Sequence, residues 1–103
     1  MYSLEYLPIA KQDMIDIAWY ISHKLSNPIA AERLANEMVE AAEKLTDFPY
    51  AYSAYHPIRP LQQEYRRIPV QNYLMFYYVD EAQKRITIAR VIYTRRDYEN
   101  QLD

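Results

Sequence analysis

The chain has 103 residues, half of them apolar, and a formal net charge of −2. This length supports one globular domain spanning residues 1–103, and the absence of a membrane-length apolar run and of a secretory leader favours a cytoplasmic protein. Because the chain has no cysteine and two histidines, a thiolate nucleophile is excluded and a zinc site is disfavoured, so we expect no metal and no cofactor.

The first half predicts a strand and two helices. Residues 2–7 place tyrosine and leucine side chains on one face, as in a short strand. Pro8 suits the first turn of a helix that runs to about Leu25. Asn27 and Pro28 supply an N-cap and a first helical residue for a second helix, which ends near residues 46–49. So short a connection predicts a helical hairpin.

The second half predicts a tyrosine-rich loop and then three strands at residues 64–70, 73–79 and 85–93. The middle strand is apolar on both faces, which favours a central position, whereas the last strand alternates as if buried on one side. Between the first two, we expect Asn72 to take the positive φ of a tight turn. The predicted fold is therefore α+β, in the order β-α-α-β-β-β, with the helical hairpin packed on one face of a mostly antiparallel four-stranded sheet.

The charges divide unevenly along the chain. Residues 1–51 carry four cationic side chains against eight carboxylates, whereas residues 52–103 carry eight cations against six carboxylates. Seven of those eight cations are arginines, whose guanidinium groups suit bidentate phosphate or carboxylate binding. The C-terminal half is thus the side expected to meet an anion, unless its arginines only form ordinary surface ion pairs.

Four stretches, taken in this order and at these separations, resemble the RelE/ParE family of toxins from bacterial type II toxin–antitoxin modules. They are "AKQDMIDIAWYI", "NPIAAERLANEMVEAAEKLTDFP", "YRRIPVQNYLMFYYVDE" and "ITIARVIYTRRDY". The resemblance covers essentially the whole chain. It implies a compact sheet with a helical hairpin, and a cognate antitoxin from the same operon as partner.

The resemblance leaves the molecular target open, because RelE-like members cleave mRNA in the ribosomal A site and ParE-like members block DNA gyrase. We take a metal-free, ribosome-dependent endoribonuclease, with the ribosome and mRNA as partners, as the first hypothesis. Inhibition of DNA gyrase without catalysis is the alternative, and a degenerate toxin kept for antitoxin binding is a third. The overall acidity favours gyrase inhibition, whereas the arginine and tyrosine cluster near the C-terminus favours the nuclease.

For the nuclease hypothesis, the candidate catalytic residues are Arg66, Arg95, Arg96 and Tyr98. Metal-free RNA cleavage needs cations for the charge that develops on phosphorus, and arginine supplies them. We expect Arg66 to share one exposed patch with the Arg95 and Arg96 pair. The resemblance makes Tyr98 a base-stacking side chain or a proton donor. The alternatives are ion pairs within the fold for the arginines and ordinary packing for Tyr98.

Arg67 and Tyr93 are the further candidates for phosphate or RNA binding. The resemblance also exposes departures from the nuclease pattern, since Tyr93 stands where many relatives have a histidine and Leu74 where RelE-like enzymes carry an arginine. An unperturbed tyrosine is a poor general base at neutral pH. Glu64 and His56 are weaker candidates for that base, so its identity stays open.

Overall fold

The computed structural model describes residues 1–57, 60–96 and 98–102, with only the backbone at positions 98 and 99. Its helices are α1 (Pro8–Trp19) and α2 (Pro28–Lys44), and its strands are β1 (Ser3–Tyr6), β2 (Arg66–Val70), β3 (Tyr73–Asp80) and β4 (Arg85–Tyr93). Two shorter elements are a π-helical segment that continues α1 (Tyr20–Lys24) and a 3-10 turn near the C-terminus (Tyr98–Gln101). The predicted order of elements is confirmed.

Local signals explain where both helices begin. Pro8 and Pro28 are the first helical residues, and the Asn27 side chain accepts a hydrogen bond from the Ala30 N–H at 3.1 Å. The single predicted helix from Pro8 to Leu25 is instead an α-helix that ends in one π-helical segment. Within the described ranges, no helix is long and apolar enough to cross a membrane.

The four strands form one sheet in the order β1-β4-β3-β2. β2, β3 and β4 are antiparallel neighbours, and β1 runs parallel to β4 at its edge. The predicted central position of β3 is confirmed. β1 and β2 lie at opposite edges, so the chain crosses the whole sheet between them, and the helical hairpin supplies that crossover.

Apolar residues are buried on both faces of the sheet. The larger cluster lies under the helices and is formed by Ala10, Leu34, Met38, Ala42, Leu45, Ile68, Val70, Met75, Tyr77, Ile86, Ile88 and Val91. The second cluster lies on the other face and comprises Tyr65, Leu74, Phe76, Ala89, Ile92 and Leu102. The prediction that β4 is buried on one side is therefore wrong, because the second face is covered by Leu102 and by the loop before β2.

The sheet has two local irregularities. Phe76 pairs with Arg90 and Tyr77 with Ile88, so Ala89 is an extra residue that forms a β-bulge in β4. The predicted turn between β2 and β3 exists, but Gln71 takes the positive φ, at 53°, and Asn72 does not. The Gln71 side chain donates to Glu37 at 2.9 Å, and this contact holds the turn against α2.

Candidate functional site

Arg66 lies on the helical side of the sheet and is already engaged within the fold. Its Nη1 donates to the Tyr52 carbonyl oxygen at 2.7 Å, and its Nη2 lies 3.0 Å from Glu64 Oε1. Its guanidinium carbon is 4.8 Å from the centre of the Tyr50 ring. The side chain is only 17% exposed. The contacts of Arg66 therefore hold the loop between α2 and β2 against the start of β2.

Arg67 lies on the opposite face, as strand alternation predicts. It pairs in register with Phe76, and its guanidinium carbon lies 5.0 Å from the centre of the Tyr55 ring. Glu64, the carboxylate considered as a base, is exposed and paired with Arg66. His56 is exposed in the same loop.

Arg95 and Arg96 follow β4 in a tight turn and are both exposed. The Arg96 N–H donates to the Tyr93 carbonyl oxygen at 3.0 Å, which closes the turn. Among the described side chains, neither arginine has an ion-pair partner. The predicted catalytic side chain of Tyr98 and its neighbour Asp97 lie outside the described residues.

The predicted cations do not converge. Arg66 pairs with Tyr77, whereas Tyr93 pairs with Tyr73, which in turn pairs with Val70 at the far end of β2. Arg66 and Tyr93 therefore lie at positions four residues apart along the strands, a separation of about 13 Å. Tyr93 also lies two strands away from β2, about 10 Å across the sheet. The expectation that Arg66 shares a patch with Arg95 and Arg96 is wrong, because register places them at different ends of the sheet.

At the end of β3 opposite Tyr73, tyrosine hydroxyls are hydrogen-bonded to the carboxylate of Glu81. The Tyr2 hydroxyl donates to Glu81, which also interacts with Lys84 at 3.2 Å. Hydrogen bonds from Tyr2 and Tyr50 hold the pKa of Glu81 below its usual value. The pKa of Tyr2 is raised, chiefly by its hydrogen bond to Glu81, and that of Tyr50 chiefly by desolvation. At neutral pH these tyrosines therefore carry even less phenolate than free tyrosine.

Tyr77 gives a testable pH dependence. Its side chain is buried, and its hydroxyl donates to the Pro49 carbonyl oxygen at 2.9 Å. Burial raises the pKa of Tyr77 to about 12 from 10.0. The folded state thus favours the neutral phenol, so its stabilising effect is complete below pH 10 and is lost as the pH rises from about 10 toward 12.

We expect the urea midpoint to fall across that pH window, and to fall less in Tyr77→Phe, which has no hydroxyl to ionise. The check is urea unfolding of both proteins at several pH values from 8 to about 12. Below pH 10 the variant is less stable by about 1 kcal/mol because it lacks one buried hydrogen bond, and this difference shrinks as the pH rises toward 12. Parallel pH profiles for the two proteins would contradict the assignment.

Asp13 and Arg90 form an ion pair that the sequence analysis did not identify. β1 pairs only with residues 85–88 of β4. Beyond that point Asp13 takes its place, because its Oδ2 accepts from Val91 N–H at 2.9 Å and from Arg90 Nε at 2.8 Å. Arg90 Nη1 also donates to the Gln101 carbonyl oxygen at 3.1 Å. Arg90 therefore stabilises the fold through these contacts. This role can be recognised only when the pairing of β1 with β4 is known.

A groove of about 890 Å³ lies between the end of α1 and the ends of β3 and β4. We call it the tyrosine groove, because Tyr20, Tyr73 and Tyr93 line it together with Arg96. The Tyr73 and Tyr93 ring centres are 5.6 Å apart with a 58° tilt. Desolvation raises the pKa of Tyr73, and the nearby Tyr93 and Tyr20 add to the shift, so the Tyr73 hydroxyl is neutral at physiological pH. The groove thus presents aromatic side chains beside the exposed charges of Asp16 and Arg96.

Comparison of the sequence with models of known protein families identifies the family of this chain. Residues 4–98 match the family described as the ParE toxin of the type II toxin-antitoxin system parDE. The chain belongs to this ParE toxin family. No curated protein is significantly similar to it in sequence. In the described part of this ParE-family chain, no cluster of three or more histidine or carboxylate side chains could hold a metal ion.

Solved structures share the fold of this ParE-family chain. The chromosomal ParDE system of P. aeruginosa superposes with a TM-score of 0.73 at 20% identity, covering 92% of this chain and 98% of that one. The RelBE2 complex of Mycobacterium tuberculosis gives 0.64 at 18% identity, with coverages of 89% and 96%. The intact E. coli RelBE complex gives 0.58 at 15%, with 93% and 100%. Because both toxin types share it, the fold alone does not select a target.

Proposed function

We propose that this ParE-family toxin acts by binding its target protein, DNA gyrase, and that it does not cleave RNA. A cognate antitoxin is its neutralising partner, in keeping with the toxin–antitoxin complexes that share its fold. The observation that carries the proposal is the separation of the candidate cations. Arg66 is engaged by Glu64 and the Tyr52 carbonyl oxygen, about 13 Å along the sheet from the level of Tyr93.

The second face of the sheet supports the same proposal. Leu74 stands where the resemblance expects an arginine in RelE-like nucleases, and it packs in the apolar cluster with Phe76 and Leu102. The Leu102 side chain is fully buried there. That position contributes apolar burial and no charge, so it cannot stabilise a phosphate in a transition state.

The acid and base chemistry of the described tyrosines also supports binding without catalysis. Efficient general acid–base groups titrate near the working pH. The pKa values of five tyrosines are raised, at Tyr2, Tyr6, Tyr50, Tyr73 and Tyr77. Each such shift moves the pKa further from neutrality, so less phenolate is present to accept a proton and the phenol is a weaker proton donor.

Stoichiometry separates the two functions. The purified toxin is titrated into a DNA gyrase supercoiling reaction and, in parallel, into a cell-free translation reaction whose mRNA is mapped for A-site cuts. We expect supercoiling to stop near one toxin per gyrase complex, while translation continues and mRNA stays intact. The control is toxin premixed with its antitoxin, which should leave both reactions unaffected. Translational arrest at far less than one toxin per ribosome, with A-site cuts, would establish the ribonuclease and reject the proposal.

A further inference from the structure

The tyrosine groove combines the side chains that dominate protein–protein contacts. Tyr20 is 50% exposed and Trp19, which lines the same groove, is 52% exposed. Tyr93 closes the opposite wall, next to the exposed Arg96. Tryptophan, tyrosine and arginine are the residues most enriched at binding hot spots. Exposed aromatic side chains gathered in one concave surface therefore indicate a contact site and not a random surface distribution.

The position of the groove explains why these side chains are open. β1 pairs with one edge of β4 only as far as Ile88, so the following residues of β4 have no neighbouring strand on that edge. On the other wall, α1 changes to a π-helical segment at Tyr20, and Ser26 reverses the chain with a positive φ of 51°. π-helical segments occur frequently at functional sites. The helix end and the strand end thus diverge and leave the groove between them.

The charges lining the groove favour a polypeptide over a nucleic acid. Asp13 and Asp16 both line it, and the carboxylate of the exposed Asp16 accepts a hydrogen bond only from Gln12 among the described residues. An uncompensated carboxylate repels a phosphate backbone. Arg96, which has no ion-pair partner among the described side chains, can pair with a single carboxylate. A segment that places one acidic residue at Arg96 and apolar residues along the aromatic walls complements the groove.

We propose that the toxin binds its target protein through the tyrosine groove. The groove accommodates a segment of the target that carries an apolar side chain next to a carboxylate. This inference rests on the proposed binding function, and it assigns that function a location. The apolar side chain packs between Tyr20 and Tyr93, and the carboxylate pairs with Arg96.

The test compares groove variants with a matched surface variant. Tyr93→Ala and Arg96→Glu are made in the groove, and Phe48→Ala is the control, since Phe48 is 67% exposed and lines a separate pocket with Glu37 and Glu40. Each protein is measured for binding to gyrase, for growth inhibition, for antitoxin affinity and for thermal unfolding. Unfolding temperatures close to that of the unmodified chain show that the variants fold.

We expect both groove variants to weaken gyrase binding and growth inhibition by at least about tenfold, the effect of one hot-spot residue. Antitoxin affinity should change by less than about threefold, and Phe48→Ala should match the unmodified chain. Full inhibition by the groove variants would overturn the proposal. A parallel loss of antitoxin affinity would assign the groove to the antitoxin instead and also overturn it.

Two further outcomes separate this inference from the proposed function. If the unmodified toxin does not bind gyrase, the proposed function fails, and growth inhibition alone then decides the role of the groove by the same criteria. If the groove variants bind the target normally yet fail to inhibit growth, the groove takes part in a step after binding, and its assignment as the contact surface is rejected.

Discussion

Replacement of Asp13 by alanine is expected to lower the free energy of unfolding by about 3 kcal/mol. Asp13 is 15% exposed and Arg90 is 18% exposed, so the variant leaves a nearly buried guanidinium without its carboxylate. It also removes the acceptor of the Val91 N–H at the edge where β1 ends. For a domain of this size, the corresponding fall in melting temperature is about 15 °C.

Urea unfolding and calorimetry measure this loss, and Asp16→Ala is the matched control. Asp16 lies one turn further along α1, is exposed, and accepts a hydrogen bond from Gln12 at 2.8 Å. We expect the control to change stability by less than about 0.5 kcal/mol. A double variant, Asp13→Ala with Arg90→Met, should recover part of the loss because no unpaired charge then stays buried. Equal losses for Asp13→Ala and Asp16→Ala would show that the pair does not stabilise the fold.

The elements of the fold could be predicted because their signals are local. Pro8, Asn27 and Pro28 fix the helix starts by chemistry that acts within one turn. The two-sided apolarity of residues 73–79 is likewise visible in the sequence and gives β3 its central position. Gln71 shows where local reasoning fails, since a contact with Glu37, 34 residues away, accompanies the positive φ that propensity assigns to Asn72.

The candidate site was predicted less well because its geometry depends on register. The sequence shows that Arg66 and Arg95 both lie in the basic half, but not that Arg66 pairs with the Tyr77 level of the sheet and Arg95 follows the Tyr73 level. The bulge at Ala89 further shifts which β4 residues face the helices. The Asp13–Arg90 pair spans 77 positions and has no local sequence signal.

Leu102→Ala is expected to lower the free energy of unfolding by about 2 kcal/mol or more. The side chain is fully buried against Phe76 and Ile92, on the face of the sheet that the helices do not cover. Truncation removes apolar contact area and leaves a cavity beside Phe76. The expected loss lies toward the lower end of the range for buried leucines, because a segment near the end of the described chain can move into part of that cavity.

Leu25→Ala is the control for this prediction, since it makes the same chemical change at a side chain that is 56% exposed. Urea unfolding of both variants should therefore differ by more than about 1 kcal/mol. Indistinguishable midpoints would mean that the C-terminal segment does not close the second face of the sheet. That face would then be an open apolar surface around Leu74 and Phe76, and the buried position of Leu74 could no longer support binding over catalysis.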